Sequence, residues 1–379
     1  MLPAANILDN MSIEQKLLRV RVMQREPKWG VRTIKKVIDN FGSLDAVFDG
    51  PLGQWKEASG PIKVIRQKAS RPGALLEARR EYERLQHLEI RPVFYGEPDY
   101  PVLLAHCPDA PAVLFVRGKL DWGKSPIVSI VGTRRATRRG IALCEQLIED
   151  LAPLKPTIVS GFAYGVDIAA HKKAMTLGLQ SIGCMAHGLD RIYPQAHQRH
   201  AANLVQNGGF ISEFWLSDPF YKSNFLQRNR IIAGLSVVTI VIESGAKGGS
   251  LITAKMANDY DREVFAIPGA PSDGQSAGCN ELIRTHQAHL LTDASSLCAT
   301  MNWPLQARAI PIHELGKTER QILNLMSLEP QMSSAELQDQ LAITVGQLQV
   351  ALLHLELSGL VSRDVLGTYR INNPNVRGL

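Results

Sequence analysis

The chain has 379 residues, of which 45% are hydrophobic and 21% charged, and its formal net charge is +6 at pH 7. This length predicts two or three domains, and the composition is typical of a soluble globular protein. No stretch approaches the ~20 consecutive apolar residues that span a bilayer, and no basic and apolar signal segment opens the chain. We therefore expect a cytoplasmic protein that does not enter a membrane.

Cysteine usage and charge distribution narrow the choice of ligands. The five cysteines are scattered without a CxxC pair, which argues against a disulfide framework or a zinc site, so we expect no metal and no cofactor. Residues 1–123 and 124–290 each carry a net charge of +4, whereas residues 291–314 and 315–379 each carry −1. The excess of positive charge permits a polyanionic partner. This excess lies outside the C-terminal segment.

Residues 1–70 predict short helices separated by glycines. The segment GVRTIKKVIDNFGSLDAVFDG has apolar residues at helical spacing, followed by a Gly-Ser stop. We interpret this region as a small helical module of the sterile-alpha-motif or helix-hairpin-helix kind. A helical cap without a ligand of its own stays open as the alternative.

Residues 71–290 predict an α/β domain with an extended Rossmann-like, doubly wound sheet. A charged helix (ALLEARREYERLQHL) and Pro-punctuated extended segments come first. From residue 124 onward, apolar strand patterns alternate with amphipathic helix patterns, which is typical of a parallel sheet covered by helices. The predicted strands are PIVSIVG, TIVSG, QSIGCM, GGFIS, SVVTIVIE and EVFAIPG, and the predicted helices are 136–151, 165–177, 197–206, 226–234 and 249–258.

The remaining residues predict a linker at 291–314 and a winged-helix domain at 315–379. The linker contains Trp303-Pro304 and Pro311, and three helices (317–327, 333–340 and 344–358) and a strand pair follow it. The third helix is rich in Leu and has no Lys or Arg, so sequence-specific DNA reading is disfavoured. We expect a protein contact or a weak double-strand contact instead.

Loops at the carboxyl ends of parallel strands form the ligand crevice of a doubly wound fold, and four of these loops favour anions. In the first, VGTR precedes a helix near Thr137, so the positive helix end and Arg134 could both meet a phosphate; an ordinary turn is the alternative. The second, SGFAYGVD, is Gly-rich but lacks a P-loop ending. Its Asp167 is either a helix cap or a catalytic acid, and we expect His171 to be packed.

The third loop interleaves aromatic and basic residues before a helix, a mixture that suits single-stranded nucleic acid. Phe225 either stacks on a base or packs in the core. Arg228 and Arg230 point to different sides of the helix, so we expect one to hold DNA and the other to hold the fold. In the fourth loop, Gly248-Gly249 precede a helix whose first turn offers hydroxyl groups, and Lys247 adds charge.

Seven motifs occur in one order along the chain: VGTR, SGFAYGVDIAAH, GLDRIYP, ISEF, FLQRNRIIAGLS, ESGAKGGSLITA and REVFAIPG. The set resembles the DNA-processing protein A family, also called DprA or Smf, over roughly residues 76–290. The resemblance implies single-stranded DNA binding, protection of incoming DNA during natural transformation, and loading of the RecA recombinase. It also implies a homodimer formed through the Rossmann domain and no catalytic activity.

The resemblance also implies which residues contact DNA. They are Arg134, Gly161, Lys222, Phe225, Arg228, Asn229 and Arg230 in the pocket, and Lys247, Gly248, Gly249, Ser250 and Thr253 in the Gly-rich loop. The alternative function is a nucleotide-phosphate hydrolase of the lysine-decarboxylase-like Rossmann class. That class places Glu beside a PGGxGT loop, whereas here Glu243 precedes a Lys-Gly-Gly-Ser loop. We assign no catalytic residue.

Overall fold

A computed structural model describes residues 12–52, 59–123, 125–304, 315–329, 331–357, 360–364 and 367–371. The chain divides into two compact units, residues 1–303 and residues 304–379. No helix in these described ranges is long and apolar enough to cross a membrane.

Five helices open the first unit. They are α1 (Ile13–Gln24), α2 (Val31–Phe41), α3 (Leu44–Asp49), α4 (Ser59–Ala69) and α5 (Ala74–His87). Ser12 caps α1 by accepting the Gln15 N–H, and α2 ends at Gly42 in the left-handed conformation that glycine adopts easily. Their buried faces share one core with Phe162, Phe210 and Trp215. The helical region is therefore packed on the sheet that follows.

A nine-stranded sheet forms the centre of this unit. Its strands are β1 (Ile90–Phe94), β2 (Val113–Gly118), β3 (Ile127–Gly132), β4 (Thr157–Ser160), β5 (Ser181–Cys184), β6 (Gly208–Ser212), β7 (Val238–Ile242), β8 (Glu263–Ala266) and β9 (His289–Leu290). The order is β1-β2-β6-β5-β4-β3-β7-β8-β9. Strand β2 is antiparallel to both of its neighbours, β1 and β6, and all other neighbouring strands are parallel. The chain thus runs outward from β3 in one direction and from β7 in the other, so the switch point lies between them.

Helices cover the sheet. They are α6 (Val102–Ala105), α7 (Arg138–Leu151), α8 (Val166–Thr176), α9 (Gln198–Gln206), α10 (Ser223–Leu235), α11 (Gly249–Asp259), α12 (Ala277–Arg284) and α13 (Ala294–Met301). The doubly wound, Rossmann-like sheet predicted from the sequence is confirmed. The interpretation of residues 291–314 as a plain linker needs correction, because Asp293 caps α13 and Leu297 and Cys298 are buried.

The second unit is the predicted winged helix. Its elements are α14 (Lys317–Leu328), β10 (Gln331–Ser333), α15 (Ser334–Leu341), α16 (Val345–Leu357), β11 (Val361–Arg363) and β12 (Thr368–Ile371). The strands form an antiparallel sheet in the order β10-β12-β11. Ile322, Leu337, Leu352 and Tyr369 share its core.

The five cysteines are buried and free. Burial raises the pKa of the Cys144 and Cys184 thiols to about 12, so both are protonated and unreactive at neutral pH. The thiols therefore serve as core side chains.

His171 on α8 is fully buried, as expected. Its Nδ1 lies 2.7 Å from the Ser181 hydroxyl, and its Nε2 has no hydrogen-bond partner among the described residues. The pKa of His171 falls from 6.5 to about 3, mainly because burial disfavours the charged ring, with repulsion from Arg228 and His197 adding to the effect. The folded protein therefore holds a neutral imidazole here.

Replacing His171 with Gln should weaken the acid sensitivity of this unit. Below the ordinary pKa of 6.5, the unfolded chain binds a proton that the folded chain binds only near pH 3. Stability is therefore lost as pH falls through this window, by at most about 1.4 kcal/mol per pH unit. Urea unfolding of the wild type and of His171→Gln between these pH values measures the difference. If the free energy of unfolding changes equally with pH in the two proteins, His171 is not the cause of the acid sensitivity.

Candidate nucleic-acid interface

The carboxyl ends of β3 and β7 open into a cavity of about 340 Å³ at the switch point of the sheet. This is where ligands bind in doubly wound folds. Eight of the residues predicted to contact DNA line the cavity: Arg134, Phe225, Arg228, Asn229, Gly248, Gly249, Ser250 and Thr253. The other four, Gly161, Lys222, Arg230 and Lys247, are not among its lining residues.

The first anion-binding loop is already filled by a carboxylate of the chain itself. Glu243, at the end of β7, accepts the Thr137 N–H at 2.8 Å and also the Thr137 hydroxyl. Its backbone oxygen accepts the Thr133 N–H at 2.7 Å. A Cβ at Gly140 would lie 2.3 Å from the Glu243 carboxyl carbon, so only glycine leaves room for this group. The prediction of a free helix end at α7 is therefore wrong, although Arg134 stays exposed.

The second loop is filled in the same way. Buried Asp167 accepts the N–H groups of Gly161 at 3.1 Å and Ala163 at 3.3 Å, so these donors do not face a ligand. Asp167 is therefore a buried carboxylate that stabilises the turn before α8. A Cβ at Gly161 would lie 2.5 Å from the Arg228 guanidinium. Gly161 leaves space for Arg228 and lies outside the crevice lining.

Arg228 and Arg230 are both buried and both hold the fold. Arg228 donates to the backbone oxygens of Cys184 and of Gly161, the latter at 2.8 Å. Burial raises the pKa of Asp167, and the positive charge of Arg228 opposes that shift. Arg230 is paired with Glu213 and donates to the Asp109 backbone oxygen. The two side chains lie on different sides, as expected: Arg228 lines the crevice and Arg230 is not among its lining residues. That one of them holds DNA stays a prediction.

The fourth loop keeps its helix end open. Gly248 precedes α11 without a side-chain cap. The Leu251 N–H donates to the Gly248 oxygen at 3.1 Å, whereas the N–H groups of Gly249 and Ser250 have no acceptor among the described residues. Ser250 donates to the Ser244 hydroxyl at 2.8 Å, which fixes the wall of the loop. Lys247 is exposed at its rim. An anion in the crevice would meet the positive end of α11 here.

Phe225 brings an aromatic ring to the other side of the crevice. The guanidinium carbon of Arg134 lies 5.1 Å from the centre of this ring, within cation–π range. Exposed Lys222 lies at the start of the same helix. Phe225 is half-buried and also contacts the rings of Tyr193 and Phe220. Sequence reasoning missed these last two residues, although Tyr193 lies in the GLDRIYP motif and Phe220 lies close before Lys222.

A second cavity, of about 390 Å³, lies between α1, α5 and the Trp215 segment. Its basic residues are paired with acids: Arg21 with Asp218, Lys68 with Glu26, and both Arg71 and Arg25 with Glu77. Because these cations are already paired with carboxylates, this cavity attracts a phosphate less strongly than the crevice does.

The Rossmann-like sheet, its basic crevice and the winged-helix unit together define a class of DNA-processing proteins. Residues 91–302 match the DNA recombination-mediator protein A family, and residues 306–364 match the DprA winged helix domain. The chain belongs to this family, also called DprA or Smf.

Known relatives agree with this assignment. Protein Smf of Synechocystis is 31% identical over 74% of this chain and 80% of its own length. DprA of Streptococcus pneumoniae is 40% identical over 53% of this chain and 70% of its own. The X-ray structure of that DprA superposes with a TM-score of 0.61 and 31% identity, covering 76% of this chain and 98% of that one. The structure of DprA from Helicobacter pylori, studied for its single-stranded DNA binding mode, superposes with a TM-score of 0.52 and 29% identity. The match covers 57% of this chain and 97% of that one.

Replacing Glu243 with Gln should destabilise the first unit by about 1–3 kcal/mol, because an amide cannot accept from both donors of Thr137. The midpoint of urea unfolding measures the loss. Glu83→Gln, a change at an exposed carboxylate of α5, is the matched control. Similar midpoints for the two variants would mean that Glu243 does not hold the loop.

Proposed function

We propose that this protein binds single-stranded DNA in the crevice between β3 and β7 and takes part in DNA processing without catalysing a reaction. The observation that supports this best is the convergence of three groups: exposed Arg134, the open N-terminus of α11, and the half-buried ring of Phe225. Cations and dipoles suit phosphates, and a ring suits an unpaired base. The single-stranded DNA binding of the H. pylori relative points to the same ligand.

The crevice favours a single strand over a duplex. A cavity of about 340 Å³ is comparable with small-molecule pockets of ~300–1,000 Å³. A duplex keeps its bases paired inside, so it offers the crevice mainly backbone phosphates, whereas a single strand also offers an unpaired base to Phe225. In this arrangement phosphates lie at the start of α11 and beside Arg134, and a base lies against Phe225. Arg228 and Gly161 shape the crevice from below.

The proposed DNA contacts are the predicted residues that line the crevice or are exposed beside it, without Arg228, whose guanidinium is held by two backbone oxygens. They are Arg134, Lys222, Phe225, Asn229, Lys247, Gly248, Gly249, Ser250 and Thr253. Asn229 also donates weakly, at 3.5 Å, to the Gly249 backbone oxygen. It therefore links α10 to the Gly-rich loop, so a strand that contacts one contacts the other.

Family membership supports the rest of the proposal. We infer that the chain protects incoming DNA, delivers it to the RecA recombinase and forms a homodimer through the Rossmann domain. The winged helix contributes a protein contact, because α16 has no Lys or Arg and exposes Val350 and Leu353, which are 71% and 56% accessible. An apolar face of this kind does not neutralise phosphates.

DNA affinity measured across salt concentrations tests the proposal. Wild-type protein should bind single strands more tightly than duplex of the same sequence. Arg134→Ala should weaken binding and lower the slope of log affinity against log salt by about 0.7, because one phosphate contact is lost. Phe225→Ala should weaken binding by about 1–3 kcal/mol through lost stacking and leave the slope unchanged.

Arg79→Ala, which removes an exposed cation of α5, is the matched control and should bind as the wild type does. Equal affinities for single strand and duplex, or normal binding by both crevice variants, would contradict the proposal. Turnover of nucleotide phosphates by the wild type would favour the hydrolase alternative.

A double-mutant cycle tests the contact between Arg134 and Phe225. Because the guanidinium lies 5.1 Å from the ring centre, each side chain holds the other in place. The double alanine variant should therefore lose less DNA affinity than the sum of the single losses, by about 0.5–1 kcal/mol. Strict additivity would show that the two groups act on DNA independently.

A further inference from the structure

We propose that Tyr193 and Phe220, together with Phe225, form an aromatic extension of the DNA site that stacks the unpaired bases next to the crevice. This inference rests on the proposed function and adds a second base subsite to it. Tyr193 lies before α9, Phe220 lies before α10, and Phe225 lies in the first turn of α10. They meet with centroid distances of 5.1 Å for Tyr193–Phe220, 5.5 Å for Phe220–Phe225 and 5.8 Å for Tyr193–Phe225.

The rings are exposed in a way that core rings are not. Tyr193 is 45% and Phe220 36% accessible, whereas Phe162 and Phe210 are at most 1% accessible. Their planes cross at 65° in an edge-to-face contact, so the two rings are not stacked on each other. Phe220 also rests against the buried ring of His187, at 5.2 Å, which supports it from behind. The result is a supported and partly exposed aromatic surface, and such surfaces commonly mark binding sites.

The charges around this aromatic extension point to nucleic acid. Exposed Lys222 lies two residues after Phe220. Arg134 lies over Phe225. A ligand that fits flat rings flanked by cations carries flat bases on an anionic backbone, which is the composition of single-stranded DNA. A hydrophobic peptide would leave these cations without acceptors.

Phe225 connects the two parts of the site, because it lines the crevice and touches both outer rings. A strand held in the crevice therefore reaches Tyr193 and Phe220 as it leaves past Phe225. Very short strands are held by the crevice alone, and longer ones add stacking on the outer rings. The aromatic extension thus predicts that affinity rises with strand length, and that this rise depends on Tyr193 and Phe220.

The test measures the affinity of the full-length protein for labelled oligo-dT from about 3 to about 12 nucleotides long, a span that covers typical single-strand site sizes. Tyr193→Ala and Phe220→Ala should bind the shortest strands as the wild type does. Each should bind the longest strands about 5- to 150-fold more weakly, which is the range for one lost base stack. Tyr193→Phe should restore binding, because the ring and not the hydroxyl group is required.

Tyr221→Ala is the matched control. Tyr221 is 61% exposed and adjacent to Phe220, but its ring contacts none of the three rings among the described residues. It should bind strands of every length normally. A further readout is the fluorescence of 2-aminopurine placed at successive positions in the strand, which stacking quenches. Quenching at an outer position should disappear in Tyr193→Ala while quenching at the crevice position persists.

The outcomes separate this inference from the proposed function. If the wild type binds single strands but its length dependence is unchanged in Tyr193→Ala and Phe220→Ala, the aromatic extension is overturned and the crevice stands. A loss that is equal at all lengths, or equal in Tyr221→Ala, overturns it too. If the wild type binds no single strand at any length, both proposals fail.

Discussion

The Glu243 carboxylate at the N-terminus of α7 is the interaction on which the crevice depends. The carboxylate accepts from Thr137 and the backbone oxygen of Glu243 accepts from Thr133, so Glu243 joins the end of β7 to the loop after β3. These are the two strands at which the direction of winding reverses. A carboxylate near a helix N-terminus is favourable because it satisfies unpaired N–H groups and the helix dipole. The position of Arg134 is a consequence, since Arg134 lies between the two threonines that Glu243 holds.

This arrangement changes what a Rossmann-like sheet can bind. In dinucleotide-binding folds the pyrophosphate lies at the helix that follows the first strand of the switch point. Here a phosphate at α7 would meet the negative charge of Glu243, and one near Gly161 would find its donors held by Asp167. The open helix end is α11, on the other side of the switch point. Anionic groups are therefore drawn to the start of α11 and to Arg134, which lies against the ring of Phe225.

The sequence predicted much of the fold because the periodicity of apolar residues is a local signal. The strand-end rule also brought the right loops to one edge of the sheet. The sequence did not predict which polar groups contact one another in the folded chain. Glu243 lies 106 residues from Thr137, and Arg228 lies 67 residues from Gly161, so neither contact has a local signature. Helix α13 was missed because its Ala- and Ser-rich sequence precedes a Trp-Pro pair and has a weak apolar pattern.

The same contacts separate residues that bind from residues that hold the fold. Arg134 and Lys222 are exposed, so replacing either removes charge from the crevice without leaving a buried partner unpaired. Arg230 is different, because its removal would leave the buried carboxylate of Glu213 without its ion-pair partner. Breaking a buried ion pair commonly lowers the free energy of unfolding by about 3–5 kcal/mol. Lost DNA binding in an Arg230 variant would therefore report unfolding and not a missing phosphate contact. Arg228 belongs with Arg230 in this respect, even though it reaches the crevice floor, because its guanidinium holds the ends of two strands.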